Sequence, residues 1–215
     1  MMKHYCRMWW GAVLLMGALW THGVIWAASS PLEVIRAATQ QATAVLENPA
    51  YKDEAHRQER IEKVWAVIEP YFDLRELSQR TLGVHWRERT PEEQREFVKL
   101  FTALIKQTYS SALTRYTSDV QFAFDQERVD GNFAEVDTRL INPSLQKTIP
   151  IQYSLHKVGG SWRVYDVVIE NVSLVRNYRS QFNRILSRSS YADLLEDIKR
   201  KIAEGGNASR HAGLQ

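Results

Sequence analysis

The chain has 215 residues, 44% of them hydrophobic and 25% charged, the make-up of one globular domain with a substantial core and not of a disordered or fibrous chain. Its one cysteine, Cys6, leaves no internal disulfide and no thiol chemistry in the body of the chain. The formal net charge is +3, and setting aside Lys3 and Arg7 at the N-terminus takes it to +1, too little for nucleic-acid binding, which wants a concentrated basic face.

Those two charges open a targeting segment. Lys3 and Arg7 precede an apolar run from Trp9 to Trp20, and the small residues Ala27 and Ala28 follow. The pattern predicts a secretory signal peptide over residues 1–27, and the apolar run falls short of the ~20 residues of a membrane span; an uncleaved N-terminal anchor is the alternative, because Val24–Ala28 extends the apolar stretch beyond His22 and Gly23. Cys6 stands ahead of the apolar run, so it is no lipoprotein acylation site. A domain over residues 28–204 and a disordered polar tail over 205–215 are expected to follow.

Helical spacing marks the first half. Leu32, Ile35, Ala38, Ala42, Val45 and Leu46 predict a helix from Pro31 to Glu47, closed by Asn48-Pro49. Ile61, Val64, Trp65 and Ile68 form the stripe of a second helix within Glu54–Phe72, which Pro70 ends or bends. A short helix starts at Asp73, a good N-cap, and stops at Gly83. The clearest signal is Thr90-Pro91 with Glu93, a capping box with proline in the first helical position. The helix it opens runs to about Tyr116 and presents a face from Phe97 to Tyr109 wider than one helix–helix seam requires.

The period then switches to two. Val120, Phe122 and Phe124 begin a strand, and Asp130-Gly131-Asn132 turns it. Strands follow at Phe133–Asn142, Thr148–Lys157 and Trp162–Glu170, joined at Pro143-Ser144 and Gly159-Gly160. Strict alternation in the last strand puts Trp162, Val164, Asp166 and Val168 on one face and Tyr165, Val167 and Ile169 on the other. Both faces are apolar, so each needs a cover of protein or greasy ligand. Two helices close the chain, about Leu174–Leu186 and Tyr191–Ala203, the second opened by Ser190 and Asp193. The predicted fold is α+β, a four-stranded antiparallel meander packed by N- and C-terminal helices around an apolar interior.

Motifs for chemistry are sparse. No spacing of His, Cys or carboxylates suits a metal, and no GxSxG, P-loop or GxGxxG occurs. Asp166 in mid-strand is the one carboxylate with the setting of a general base, although a pair with Arg163, Arg176, Arg179 or Arg184 is the better expectation for it. Asn171, Asn177 and Tyr178 at the strand-to-helix junction read equally as pocket-mouth groups or as turn and cap residues.

Two long strings carry a family resemblance: YFDLRELSQRTLGVHWRERTPEEQREFVKLFTALIKQTY at Tyr71–Tyr109 and VYDVVIENVSLVRNYRSQFNRIL at Val164–Leu186. Over about Pro31–Glu204 the chain resembles the MlaC, or toluene-tolerance, family of periplasmic phospholipid-binding components of Mla ABC transport systems. Where the family commonly has glycine after the last strand, this chain has Asn171, which also tolerates positive φ. The resemblance implies a nuclear-transport-factor-like (NTF2-like) sheet and helix layer. It also implies a monomeric periplasmic shuttle carrying glycerophospholipid between an outer-membrane lipoprotein complex and an inner-membrane MCE/ABC transporter complex, with lipid as cargo and no cofactor or catalytic residue. A hopanoid or other polycyclic lipid is the alternative cargo, and an NTF2-like enzyme using Asp166 as base is the alternative activity.

A diacyl lipid exposes roughly 28 methylenes, worth on the order of 20 kcal/mol in water at about 0.8 each. A carrier must therefore enclose most of both tails, in a cavity at or above the top of the usual ~300–1,000 Å³ range, while the headgroup stays at the mouth with few specific contacts. The expected lining is Trp65, Phe72, Phe97, Phe101, Leu104, Tyr109, Tyr153, Tyr165, Val167, Ile169, Val172 and Tyr178. A charge at Leu104 or Val167 is expected to lower lipid retention without unfolding the protein. Arg87, Glu88 and Arg89 are candidates for a partner surface.

Overall fold

Many helix ends are fixed by local side-chain chemistry, and the computed structural model, which describes residues 29–114 and 120–212, shows several such caps at work. The predicted signal peptide lies outside the described residues, as do Arg115 and Tyr116. Helix α1 (Pro31–Glu47) starts on a capping box of Ser30 and Glu33, and Glu127 accepts from the Leu32 N–H at 2.7 Å. Helix α2 (Arg57–Ile68) is flanked by single 3-10 turns, the last being Glu69–Tyr71 around Pro70. In α3 (Leu74–Leu82) the Asp73 carboxylate caps the N-terminus, and Gly83 closes the helix at φ 60 and ψ −127, a conformation open essentially to glycine. Helix α4 (Pro91–Thr114) opens on Thr90 and Glu93, whose reciprocal bonds measure 3.2 and 2.8 Å.

The strands are β1 (Gln121–Asp130), β2 (Phe133–Asn142), β3 (Lys147–Val158), β4 (Ser161–Ile169) and β5 (Val172–Ser173). They form one antiparallel sheet in chain order. The two-residue β5 is a fifth strand beyond the predicted four. It arises because Glu170 and Asn171, at φ 48 and 67, fold the chain straight back on β4. Helices α5 (Leu174–Leu186) and α6 (Tyr191–Ala212) complete the chain. The latter runs well past Ala203, into the stretch expected to be disordered. Its Gly205 sits so close to Gln107 of α4 that a Cβ there would come within 2.6 Å of that side chain, so helix–helix packing carries the polar segment.

Strict alternation fails in β4. Val164 pairs with Leu155 but Asp166 pairs with Ser154, so Tyr165 is an extra residue in a β-bulge. Past it the phase reverses. Trp162, Val164, Val167 and Ile169 share the face of Leu155, Tyr153 and Ile151, while Asp166 and Val168 share the opposite face with Ser154 and Gln152. The predicted grouping of Asp166 with Trp162 and Val164, and of Tyr165 with Val167 and Ile169, is thereby corrected.

Packing is organised around two apolar cores. One lies between α1 and the sheet and holds Ile35, Ala134, Val136, Leu155, Trp162 and Val164; the sheet face it covers is called inner below. The other lies among α2 to α6 and centres on Phe97, Phe101, Tyr178 and Phe182, whose rings meet edge-on, stacked or tilted at 4.9–5.7 Å between centroids. The elements close a ring: α1 packs on β1 and β2, α2 on α1 and α4, α3 on α4 and α5, and both α3 and α5 on β4.

Candidate functional site

The two cores meet at Phe72, the one described residue that packs against both. It pairs with Val164 as a parallel bridge, and the next N–H, that of Asp73, donates to the Val164 carbonyl at 2.8 Å. The segment between α2 and α3 thus extends the β4 edge and ties the helical layer to the sheet. Of the apolar side chains packed on the helical core, Ile68, Phe72 and Tyr109 are half-buried; so are Phe124, Tyr153 and Val167 on the sheet core, and Ile151 on the same face of the sheet.

Burial on the inner face pushes the Tyr153 phenol up to about 12, and the residue as a whole is half-buried. Tyr109 is also raised, first by desolvation and then by the neighbouring Tyr178 and Asp166. The Tyr178 hydroxyl, buried in the helical core, lies 3.4 Å from the Thr108 hydroxyl.

The predicted lining residues therefore divide. Tyr153, Val167 and Ile169 are half-buried on the inner face and Phe72 where the two cores meet, while Tyr109 is half-buried against the helical core. Phe97, Phe101, Leu104 and Tyr178 are buried among themselves and their helical neighbours. Tyr165 lies on the opposite face, edge-on to Phe133 and His156, with the Arg80 guanidinium 4.1 Å from its ring centre. Val172 is exposed at the β5 edge. Trp65 walls a separate groove between α2 and α4, described below. Ile68, Phe124 and Ile151, outside the expected set, are half-buried like them; Ile151 alternates with Tyr153 in β3, a spacing visible in the sequence.

Asp166 makes none of the arginine pairs expected of it. Its Oδ1 accepts from the Val167 and Val175 N–H groups at 2.8 and 3.0 Å, and its Oδ2 from the Ser173 hydroxyl at 2.5 Å. It is a second cap on α5, behind Ser173, which receives the Arg176 N–H. Arg179 instead donates to the Arg80 carbonyl and Arg163 to that of Trp162. On the opposite face His156 bonds Asp73 at 3.0 Å, a further tie between sheet and α3. Of the suggested partner surface, Arg89 is committed inward: it stands over the Tyr191 ring at 4.6 Å and pairs with Glu88 and Glu93.

The groove between α2 and α4 measures about 390 Å³ and is lined by Ile61, Trp65 and Ala103 with Glu69, Lys106 and Gln107 at its rim. A second hollow of about 460 Å³ shares Ala66 and Glu69 with it and extends to Phe72. Among the described residues, no helix is long and apolar enough to cross a membrane, and no three His, Cys, Asp or Glu side chains cluster as metal ligands.

Comparison with known proteins follows this geometry. The model of a family described as MlaC protein matches residues 36–200. Over 138 residues the chain is 26% identical to the intermembrane phospholipid transport system binding protein MlaC of Haemophilus influenzae, covering 63% of this chain and 64% of that protein, just under two thirds of its length. It is 23% identical over 164 residues to toluene tolerance protein ttg2D of Pseudomonas putida, covering 76% of each. A phospholipid-binding protein from Ralstonia solanacearum, solved in complex with a phospholipid, superposes with a TM-score of 0.72 at 22% identity, over 83% of this chain and 99% of that one. At that identity the likeness is one of α+β fold.

Proposed function

Because the chain belongs to the MlaC protein family, whose model spans residues 36–200, we propose that it is a phospholipid carrier of an intermembrane transport system. It works in the periplasm as a monomer and passes glycerophospholipid between an outer-membrane lipoprotein complex and an inner-membrane MCE/ABC transporter complex. The names of the H. influenzae and P. putida relatives and the phospholipid in the R. solanacearum structure support this reading.

The observation that carries it is the division of the interior into two apolar cores that meet at Phe72, with half-buried apolar side chains packed against each, inside a closed ring of elements. Acyl chains entering there extend both cores at once. The driving force is ordinary apolar burial, on the order of 20 kcal/mol for two tails. The groove beside α2, at about 390 Å³, lies near the small end of ligand sites, so the tails need the seam as well. Unassisted exit faces the full exposure cost, and release requires a partner with an equally apolar path. The carrier needs no catalytic group, and the one carboxylate suited to act as a base, Asp166, has both oxygens occupied by donors.

The test is to purify the mature protein from its own periplasm and to combine native mass spectrometry with lipid extraction. One or more phospholipids per chain is the expected result. A protein that emerges empty, and takes up no lipid from vesicles, overturns the reading.

A further inference from the structure

The outward side of α5 carries charge of one sign. From Asn171 to Ala192 the chain holds the arginines Arg176, Arg179, Arg184 and Arg188 and no aspartate, glutamate or lysine. All of these arginines are exposed, while Leu174, Val175, Tyr178 and Phe182 fill the buried side of the helix. From Arg176 to Arg184 the row covers about 12 Å of helix, and Arg188 continues it just past the helix end. Asp166 takes none of them, because donors from Val167, Val175 and Ser173 fill its oxygens. Arg179 donates to the Arg80 carbonyl at 2.6 Å. Among the described residues, Arg176, Arg184 and Arg188 make no ion pair. The carboxylates of α6 that border the same hollow as Arg184 and Arg188 have partners of their own: Asp193 has Ser190, Glu196 has Lys199, and Asp197 has Arg200 and Lys201. Arg184 and Arg188, four residues apart, repel each other, and nothing in the fold offsets it. The chain is near neutral beyond its N-terminal charges, so this face is a local segregation of charge and not a general excess.

Resting on the carrier reading, we propose that the arginine face of α5 docks the carrier on a carboxylate-rich surface of a protein partner, the membrane complex that loads or unloads it. Two observations favour a protein over an anionic bilayer. Attraction to anionic lipid uses lysine as readily as arginine, yet no lysine occurs between Lys157 and Lys199. Arginine is enriched and lysine depleted at protein interfaces, and the guanidinium fork takes a carboxylate in two parallel bonds. The exposed side of α5 also has no apolar side chain to sink into a lipid surface; Asn177, Ser180 and Asn183 stand among the arginines instead. Exposed charges of this kind act on the rate of encounter more than on final affinity, which suits a carrier that must leave after each delivery.

The experiment measures association of the lipid-loaded mature chain with the inner-membrane and the outer-membrane complex of the same cell, each held in phosphatidylcholine nanodiscs, at about 50 and about 500 mM salt. With at least one complex the wild type is expected to associate about tenfold faster at low salt. The variant combining Arg176→Gln, Arg184→Gln and Arg188→Gln should lose that advantage and match the wild type at high salt, with thermal midpoint and lipid per chain unchanged. The same positions changed to lysine should keep the fast encounter and dissociate several-fold faster. No binding to either complex, association indifferent to salt, a glutamine variant as fast as the wild type, or a lysine variant identical to it in both rates each overturns the docking face. So does binding of the wild type, lost in the glutamine variant, to vesicles of equal parts phosphatidylglycerol and phosphatidylcholine while neither complex distinguishes the two proteins; that result assigns the arginines to the bilayer. A wild-type chain that holds no lipid is a different result, and it overturns the carrier reading.

Discussion

Tyr153 faces inward from the middle of β3, opposite Val136 and Val167, where burial disfavours the ionised phenol. Its phenol is held up at about 12 against 10 for the free group. The unfolded phenol ionises near pH 10 and the folded one only near 12, so between these values folding requires uptake of a proton. Stability is whole below pH 10 and declines by about 2–3 kcal/mol by pH 12. Tyr191, raised to about 12 first by burial and then by Glu93, acts in the same window and the same direction. Urea denaturation from pH 9 to 12 should show this decline, with a shallower slope in Tyr153→Phe. Equal slopes in the two proteins would mean that Tyr153 meets ordinary solvent.

Among the elements, those whose rules are local were legible in the sequence, and those set by distant contacts were not. The box at Thr90 and Glu93, the cap at Asp73, the stop at Gly83 and the positive φ of Asn171 depend on residues a few positions apart, and each stands where expected. The bulge at Tyr165 has no such signature. Placing Tyr165 between Phe133, His156 and Arg80, and Asp166 beneath the first turn of α5, requires partners from β2, β3, α3 and α5. The alternation pattern alone assigns half of β4 to the wrong face. The extension of α6 likewise depends on Gln107, nearly a hundred residues away. The expected lining divides on the same principle: aromatic character picks out apolar positions but does not separate Phe101, sealed in the helical core, from Tyr109, half-buried at its edge. Local stops carry measurable weight. Gly83→Ala forces a side chain into φ 60 and ψ −127 and should cost about 1–3 kcal/mol, read as a lowered thermal midpoint; an unchanged midpoint would show that the α3 end relaxes freely.

At the scale of the whole molecule, the division into two cores revises the substitutions that test the interior. Leu104 is 5% exposed and belongs to the helical core, so a charge there attacks folding and says nothing about cargo. Val167 is half-buried at the inner face. Val167→Asp should leave a cooperative thermal transition, lowered by about 1–3 kcal/mol as for a buried polar group, and reduce co-purified lipid several-fold; full lipid content in the folded variant would take Val167 out of the lining. The joint between the halves has a consequence of its own. At Phe72 and Asp73 sheet and helices are held by a single ladder step, one peptide hydrogen bond and one imidazole–carboxylate bond, each of order 1 kcal/mol net. Other ties run alongside it, from Asp166 to the Val175 N–H of α5 and from Glu127 to the Leu32 N–H of α1, so weakening the joint at Phe72 and Asp73 alone would loosen the meeting of the two cores while leaving sheet and helices attached.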